Sequence, residues 1–277
     1  MIDDFEYCRR IHQKFGKGYY FATRFFPQHI RLGTYALYAW TRIPDDIVDI
    51  ERNEEKLAEW ISDWRASEKV GVSARPEMNA MLMTRHKFNI PHKYNDAFLS
   101  SMLMDFKKRS YADMSELQGY MYGSATSVGL MMMHIFGDFR DEAVPYATAL
   151  AEAMQLTNFL RDIGEDYETK DRIYLPLDEM NNYGIGEDNI KTQNIPKEFI
   201  IFKINQARQL FSKAKLGIHL LPPVARYPIL LAGNLYEAIL DQIEKQDYDV
   251  FTKRAKTNAW QKILISIKTY AWYLKNM

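Results

Sequence analysis

Apolar positions recur along this chain at intervals of three and four residues and almost nowhere in alternation. Phe5, Cys8, Ile11 and Phe15 open the series, a spacing that predicts a helix over residues 5–15. Gly16 and Gly18 break it, the aromatic run Tyr19, Tyr20, Phe21 follows, and Pro27 is placed to be the first residue of the next helix. That helix carries Ile30, Leu32, Tyr35, Leu37, Tyr38 and Trp40 and runs into Asp45, Asp46 and Asp49, where Pro44 predicts a kink or a restart. Leu57, Trp60, Ile61 and Trp64 mark a helix over about 54–66, and others begin near Pro76 and Pro91. A long helix is expected from Ser115 through Tyr120, Tyr122, Ser127 and Met131 to Gly137, and another from about Arg140 to beyond Asp162. The stretch 168–172 reads as a charged loop, and 181–196, the richest in turn residues, as a surface excursion. Helices resume over about 197–221, 226–245 and, amphipathic, 258–275. Valine and isoleucine rarely alternate with polar residues, so no sheet is expected. The fold class is all-α. Without a repeat, a low-complexity tract or a Ser/Gly linker, residues 1–277 read as one domain.

Composition narrows the chemistry. Thirty-six bases balance thirty-six acids, which argues against a broad nucleic-acid footprint and turns attention to local charge. One cysteine, Cys8, excludes an intrachain disulfide and a cysteine-based zinc site. The N-terminal stretch Met1, Ile2, Asp3, Asp4, Phe5, Glu6 is acidic and lacks the apolar run of a signal peptide, and no window is apolar enough to span a membrane. A cytoplasmic protein is expected. Its fourteen methionines read singly as core filling, and together they would suit a long deformable pocket. The histidines show no catalytic spacing.

Two acidic rows stand out. Asn158, Asp162 and Asp166 lie at i, i+4 and i+8, so on a helix three oxygen-bearing side chains share one face, with Arg161 and Glu165 as an opposite-charge row beside them. Asp45, Asp46 and Asp49 form the second row, after a helix rich in aromatics. Acids beside apolar helices cost several kcal/mol unless a cation neutralises them. Magnesium fits, because it takes hard oxygens and shares its shell with phosphates. Arg42, Arg161, Arg172 and Lys17 lie near these rows in sequence and suit the diphosphate oxygens that a metal leaves uncovered. No Gly-rich phosphate loop is present, which argues against a nucleotide P-loop enzyme.

Several ordered motifs carry a family resemblance. They are the segment from Tyr38 to Asp49, the segment from Asp105 to Tyr111, Tyr120 and Tyr122 with Ser127-Val128-Gly129, the segment from Gln155 to Asp166 followed by Arg172-Ile173-Tyr174-Leu175-Pro176, and Tyr236 with the segment from Asp247 to Arg254. On these the chain resembles the squalene/phytoene synthases, head-to-head prenyl transferases, and its last motif looks like the bacterial phytoene synthase branch. The resemblance implies an all-α isoprenoid-synthase bundle around a central cavity, with the two acidic helices facing each other across its mouth. By position, Asp45, Asp49, Asn158, Asp162 and Asp166 would hold magnesium, with manganese as a substitute. Arg42, Lys17, Arg161 and Lys253 or Arg254 would meet the diphosphates, with Tyr120 and Tyr236 close by, while Tyr19, Tyr38 and Gln155 would line the pocket. Asp45, Asp49, Asp162, Asp166, Tyr120 and Arg42 are the expected catalytic set. Three positions depart from the pattern: Gly18-Tyr19 replaces a usual Ser-Phe, Pro44 precedes the acids, and Thr126 stands where glycine is common. They bear on substrate length rather than on the chemistry.

The implied reaction condenses two identical allylic diphosphates, geranylgeranyl diphosphate to phytoene first and farnesyl diphosphate to presqualene diphosphate, dehydrosqualene or squalene second. No nicotinamide site is readable. A non-catalytic assembly or lipid-binding relative is the rival, and such a relative should have lost acids from one row, whereas both rows are intact here. The expected partners are prenyl diphosphates and, given how lipophilic these are, a transient membrane surface. Oligomeric state is left open.

Overall fold

Local signals start and stop the helices. In the computed structural model, which describes residues 2–277 and leaves Met1 of the acidic N-terminal stretch outside the described residues, there are fifteen α-helices and no strand. In chain order they are α1 (Ile2–Phe15), α2 (Lys17–Thr23), α3 (Gln28–Asp46), α4 (Glu54–Val70) and α5 (Pro76–Phe88). Then follow α6 (His92–Met104), α7 (Met114–Met121), α8 (Ser127–Ile135), α9 (Val144–Arg161) and α10 (Ile163–Lys170). The last are α11 (Leu177–Asn182), α12 (Glu187–Lys191), α13 (Lys197–Leu216), α14 (Pro223–Lys245) and α15 (Ala259–Asn276). Asn53 and Asp113 cap α4 and α7 by accepting from the amides of Lys56 and Glu116. Asn258 and Gln261 form a reciprocal capping box on α15. Pro76 and Pro223 sit in first turns, where a missing N–H costs nothing, so α14 starts three residues before the expected Arg226. Pro27 is the cap before α3 rather than its first residue.

Two expectations are corrected. Pro44 neither ends nor restarts α3, which runs through it to Asp46. The irregularity comes one turn later, as a wide π-helical turn over Ile47–Glu51 that carries Asp49. Residues 181–196 are not a bare surface excursion, because α12 and its flank bury Ile185 and Ile190 in the core.

Two apolar clusters fill the interior. The first gathers Trp40, Trp60 and Trp64, with ring centroids 5.6 and 5.0 Å from Trp40, together with Met81, Met102, Met131 and Met133. Tilted aromatic pairs of this kind add roughly 0.5–1.5 kcal/mol each beyond their burial. These methionines are therefore core. The second cluster packs α9 along α13 and α14 through Leu156, Phe159, Phe199, Phe211 and Ile239. Gly123, in a second π-helical turn (Tyr122–Thr126), lets that turn press against α6: a Cβ there would stand 2.4 Å from the Ala97 carbonyl oxygen. The acidic rows are carried by the C-terminal end of α3 and by the junction of α9 and α10.

Candidate active site

The second acidic row bends where it was expected to run straight. At Asp162 the backbone leaves helical geometry (φ −111°, ψ 15°), which separates α9 from α10. The amides of Asp162 and Asp166 still bond the carbonyls of Asn158 and Asp162 at 2.9 and 2.8 Å, so the one-turn spacing of the three oxygen-bearing residues survives. The expected pairing of Arg161 with Glu165 does not form. Arg161 turns to its neighbour Asp162 in a bidentate pair at 2.8 and 2.5 Å, and Arg254 adds a second fork to the same carboxylate at 2.8 and 2.9 Å. Burial works against the charge on Asp162, but the two guanidiniums outweigh it and hold this carboxyl below the usual range. Glu165 sits 3.7 Å from Arg254 instead.

In the first row Arg42 pairs with Asp45 at 3.3 Å and with Asp46. Burial pushes the Asp45 carboxyl up to about 7, and the charge of Asp49 adds to the push while Arg42 and Lys170 oppose it. Water at its open edge, where 40% of the side chain is exposed, screens part of that effect. Asp49, re-aimed by the π-helical turn, meets two cations from the other segment: Lys170 Nζ at 2.8 Å and Arg172 Nη1 at 2.7 Å.

Lys170 is the link between the rows. Its ammonium contacts Asp49 Oδ2 at 2.8 Å and Asp166 Oδ1 at 2.9 Å, so carboxylates from both rows converge on one cation position. Burial nevertheless raises Asp166 to about 6, with Lys170 opposing. The charged loop expected over 168–172 is instead helical as far as Lys170, and the i+4 distance of Lys170 from Asp166 is the sequence signal for that pairing.

Below the first row lies a buried network. Tyr120 and Tyr174 donate to the two oxygens of Asp105, each at 2.9 Å, and Arg172 donates to Tyr174 at 3.1 Å as well as to Asp49. Burial pushes Asp105 up to about 6 in spite of these partners. Tyr120 therefore reaches the acids through Asp105 and Arg172. Asp105 and Tyr174 were not singled out from sequence as site residues. A small recess lined by Phe159, Ile163, Asp166, Arg172 and Tyr174 lies beside this network.

The remaining expected residues form an aromatic wall and a basic rim. Tyr19 and Tyr236 lie with ring centroids 4.7 Å apart, and the Tyr19 hydroxyl faces Met154 Sδ at 3.7 Å. Burial raises the pKa of both phenols, which keeps them neutral. Tyr38 stacks on His12 at 4.1 Å, and Gly16 makes room for that pair, since a Cβ there would meet both rings at 2.7 Å. Lys17 is exposed at the start of α2. Of the two C-terminal candidates, Arg254 reaches the second row, whereas Lys253 is exposed and offers its backbone carbonyl to Gln246. Gln155 lies beside Asn158, whose amide nitrogen is 3.4 Å from its side-chain oxygen.

Asn158 Oδ1 is buried without a hydrogen-bond partner among the described residues. An orphaned oxygen in line with Asp162 and Asp166, in a row that meets Asp49 at Lys170, belongs to the kind of donor set a hard divalent cation takes. The residues fit magnesium. Among the described residues no group of three or more acids, histidines or cysteines already closes on a single metal position. Lys170, Arg161 and Arg254 neutralise the acids instead.

The squalene/phytoene synthase family model matches residues 12–261. Phytoene synthase of Arthrospira platensis is 32% identical across 95% of this chain and 91% of that protein. The 15-cis-phytoene synthase of Synechococcus elongatus is 30% identical with the same coverage. Among solved structures, a dehydrosqualene synthase in complex with ligand superposes with a TM-score of 0.93 at 27% identity, covering 99% of this chain and 98% of that one. A squalene synthase from Alicyclobacillus acidocaldarius gives 0.81 at 27% identity, over 90% of this chain and 96% of that one.

Proposed function

Since the chain belongs to the squalene/phytoene synthase family, we propose that it joins two prenyl diphosphates head to head, taking geranylgeranyl diphosphate to phytoene. The observation that carries the reading is the convergence of Asp49 and Asp166, from opposite rows, on one cation position. Asp45, Asp49, Asn158, Asp162 and Asp166 would hold magnesium there. Magnesium held there would supply Lewis acidity to the diphosphate oxygens.

The chain's own residues do the rest. Arg42, Arg161 and Arg254 border the gap and, with Lys17 from the start of α2, take the phosphate oxygens, and the two guanidiniums now on Asp162 transfer to the arriving diphosphate, freeing that carboxylate. Departure of the first diphosphate leaves an allylic cation. The double bond of the second molecule attacks it, and loss of a proton from the resulting cation closes the three-membered ring to a cyclopropylcarbinyl diphosphate. A second ionisation, rearrangement and loss of a proton complete the hydrocarbon. Tyr19, Tyr38 and Tyr236 offer ring faces to the passing positive charge, and because burial keeps Tyr19 and Tyr236 neutral they present no phenolate to trap it. The aromatic wall also excludes the water that would quench each cation as an alcohol.

The twenty-carbon substrate is favoured by the relatives named phytoene synthases. The fifteen-carbon alternative, farnesyl diphosphate, is favoured by the 0.93 superposition on a dehydrosqualene synthase. Incubating the purified protein with each labelled diphosphate and magnesium, then identifying the hydrocarbon, separates them. Phytoene from geranylgeranyl diphosphate is expected. Turnover of farnesyl diphosphate alone shifts the reading to the shorter substrate, and turnover of neither leaves the non-catalytic relative.

A further inference from the structure

The last helix wears its apolar residues outward. Along α15 the side chains of Trp260, Leu264, Ile267 and Leu274 are 76%, 55%, 61% and 65% exposed, and Ile263, Tyr270 and Trp272 are exposed beside them. The spacing places them on one stripe of a helix roughly 27 Å long. The opposite face is tied down. Tyr227 on α14 pairs its hydroxyl with Ser266 at 2.8 Å, Asn234 donates to Thr269 at 2.9 Å, and Ile265 packs into the cluster of Ala22, Leu231 and Leu235. The helix therefore cannot roll its stripe inward. Phe25, itself exposed, rests edge-on against Tyr227 at 5.2 Å and extends the apolar surface toward α2.

Charge identifies what covers it. After Asp249 the chain carries Lys253, Arg254, Lys256, Lys262, Lys268 and Lys275 and no acid, in a protein whose bases and acids balance over its full length. A second copy docked on this stripe would set lysines against lysines with no carboxylate to pair them. No helix of the described chain is long and apolar enough to cross a membrane. An apolar stripe flanked by lysines, with Trp260 and Tyr270 among its residues and Trp272 exposed beyond the flanking lysines, has the make-up of a helix that lies in the headgroup layer. We infer that α15 docks the protein on an anionic lipid bilayer. The near end of this helix adjoins the site: Lys262 feels the charge of Lys17, and α14 beneath it carries Tyr236. Docking thus sets the Tyr19–Tyr236 wall beside the lipid phase in which a prenyl chain dissolves.

Sedimentation of the full chain with vesicles tests this independently of turnover. Two vesicle types serve, phosphatidylcholine alone and phosphatidylcholine with roughly one third phosphatidylglycerol. The protein should pellet with the anionic vesicles and stay in solution with the neutral ones. Tryptophan emission should shift to the blue, because Trp40, Trp60 and Trp64 are already buried and the change reads Trp260 and Trp272. Ile267→Glu should abolish pelleting, and Lys268→Gln with Lys275→Gln should weaken it about thirtyfold, at about 1 kcal/mol per lysine, with the helical circular dichroism unchanged in both. Equal binding to both vesicle types, or binding that survives Ile267→Glu, overturns the inference. So does a concentration-dependent dimer in sedimentation equilibrium that Ile267→Glu dissolves, which would give the stripe to a second copy.

Discussion

The two acidic rows face one gap but meet their charge in different ways. The second row carries its own cations: Arg161 adjoins Asp162 in sequence and Lys170 lies one turn beyond Asp166, and among the described residues Arg254 alone is contributed from elsewhere. The first row has Arg42 over Asp45 and Asp46, while Asp49 depends on Lys170 and Arg172 reaching across. The consequence shows in the carboxyls, with Asp162 held down by its arginines and Asp45 pushed up to about 7 by burial beside Asp49. A site whose one wall is neutralised from within and whose other wall is neutralised across the gap is held together by the crossing contacts. Lys170 is the bridge that touches a carboxylate of each row.

The largest effect should come from breaking the self-sufficient wall. Asp162→Asn removes an expected metal ligand and also the tether of two guanidiniums, so turnover should fall roughly 10³-fold. Asp45→Asn removes a ligand but leaves Arg42 held by Asp46, and should cost roughly 10²-fold, within the range for losing one group that stabilises developing charge. Steady-state rates with the preferred diphosphate decide it. Equal losses would mean that the arginine pairing at Asp162 has no bearing on catalysis.

The bridge itself is tested by stability. Lys170→Met leaves Asp49 and Asp166 facing each other without their shared ammonium, in a setting where Asp166 is nearly buried. In metal-free buffer the variant should lose about 2 kcal/mol, less than a fully buried broken pair because Asp49 keeps some water and Arg172. Added magnesium should close most of the difference, since a divalent cation between the rows takes over the task of the ammonium. Denaturant titrations with and without magnesium measure both. A variant as stable as the parent without metal would show that the rows need no bridge.

Much of this was legible in the chain. The helical period found the elements, and the acid spacing found both rows, because each depends on residues close in sequence. What escaped was the partnering across the gap. Arg161 was expected on Glu165 because four residues separate them, but the break at Asp162 turns the guanidinium onto the adjacent carboxylate instead. Pro44 was expected to disturb α3, yet the disturbance falls after Asp46. Asp105 and Tyr174 are sixty-nine residues apart and meet only through the packing of α6 against the segment after α10, which no local spacing announces.

The smallest effect probes the layer behind the first row, where two buried groups pull stability in opposite directions with pH. His12, stacked on Tyr38 and without a hydrogen-bond partner for either ring nitrogen among the described residues, has its pKa driven down from 6.5 to about 3 by burial. The unfolded chain then binds the extra proton, so His12 costs stability as pH falls below 6.5 toward 3. Asp105 is the reverse. Its folded value of about 6 lies above 3.8, so the folded state binds the extra proton between those limits and gains stability as pH falls through them. From pH 6.5 to 5 the histidine alone is worth up to about 2 kcal/mol, at about 1.4 kcal/mol per unit. His12→Phe keeps a ring on Tyr38 and should flatten the acid-side decline in unfolding free energy, whereas Asp105→Asn should steepen it by removing the opposing proton. If both variants keep the parent's slope, neither group titrates in the folded protein and the contrast between the wall and the layer behind it is one of packing alone.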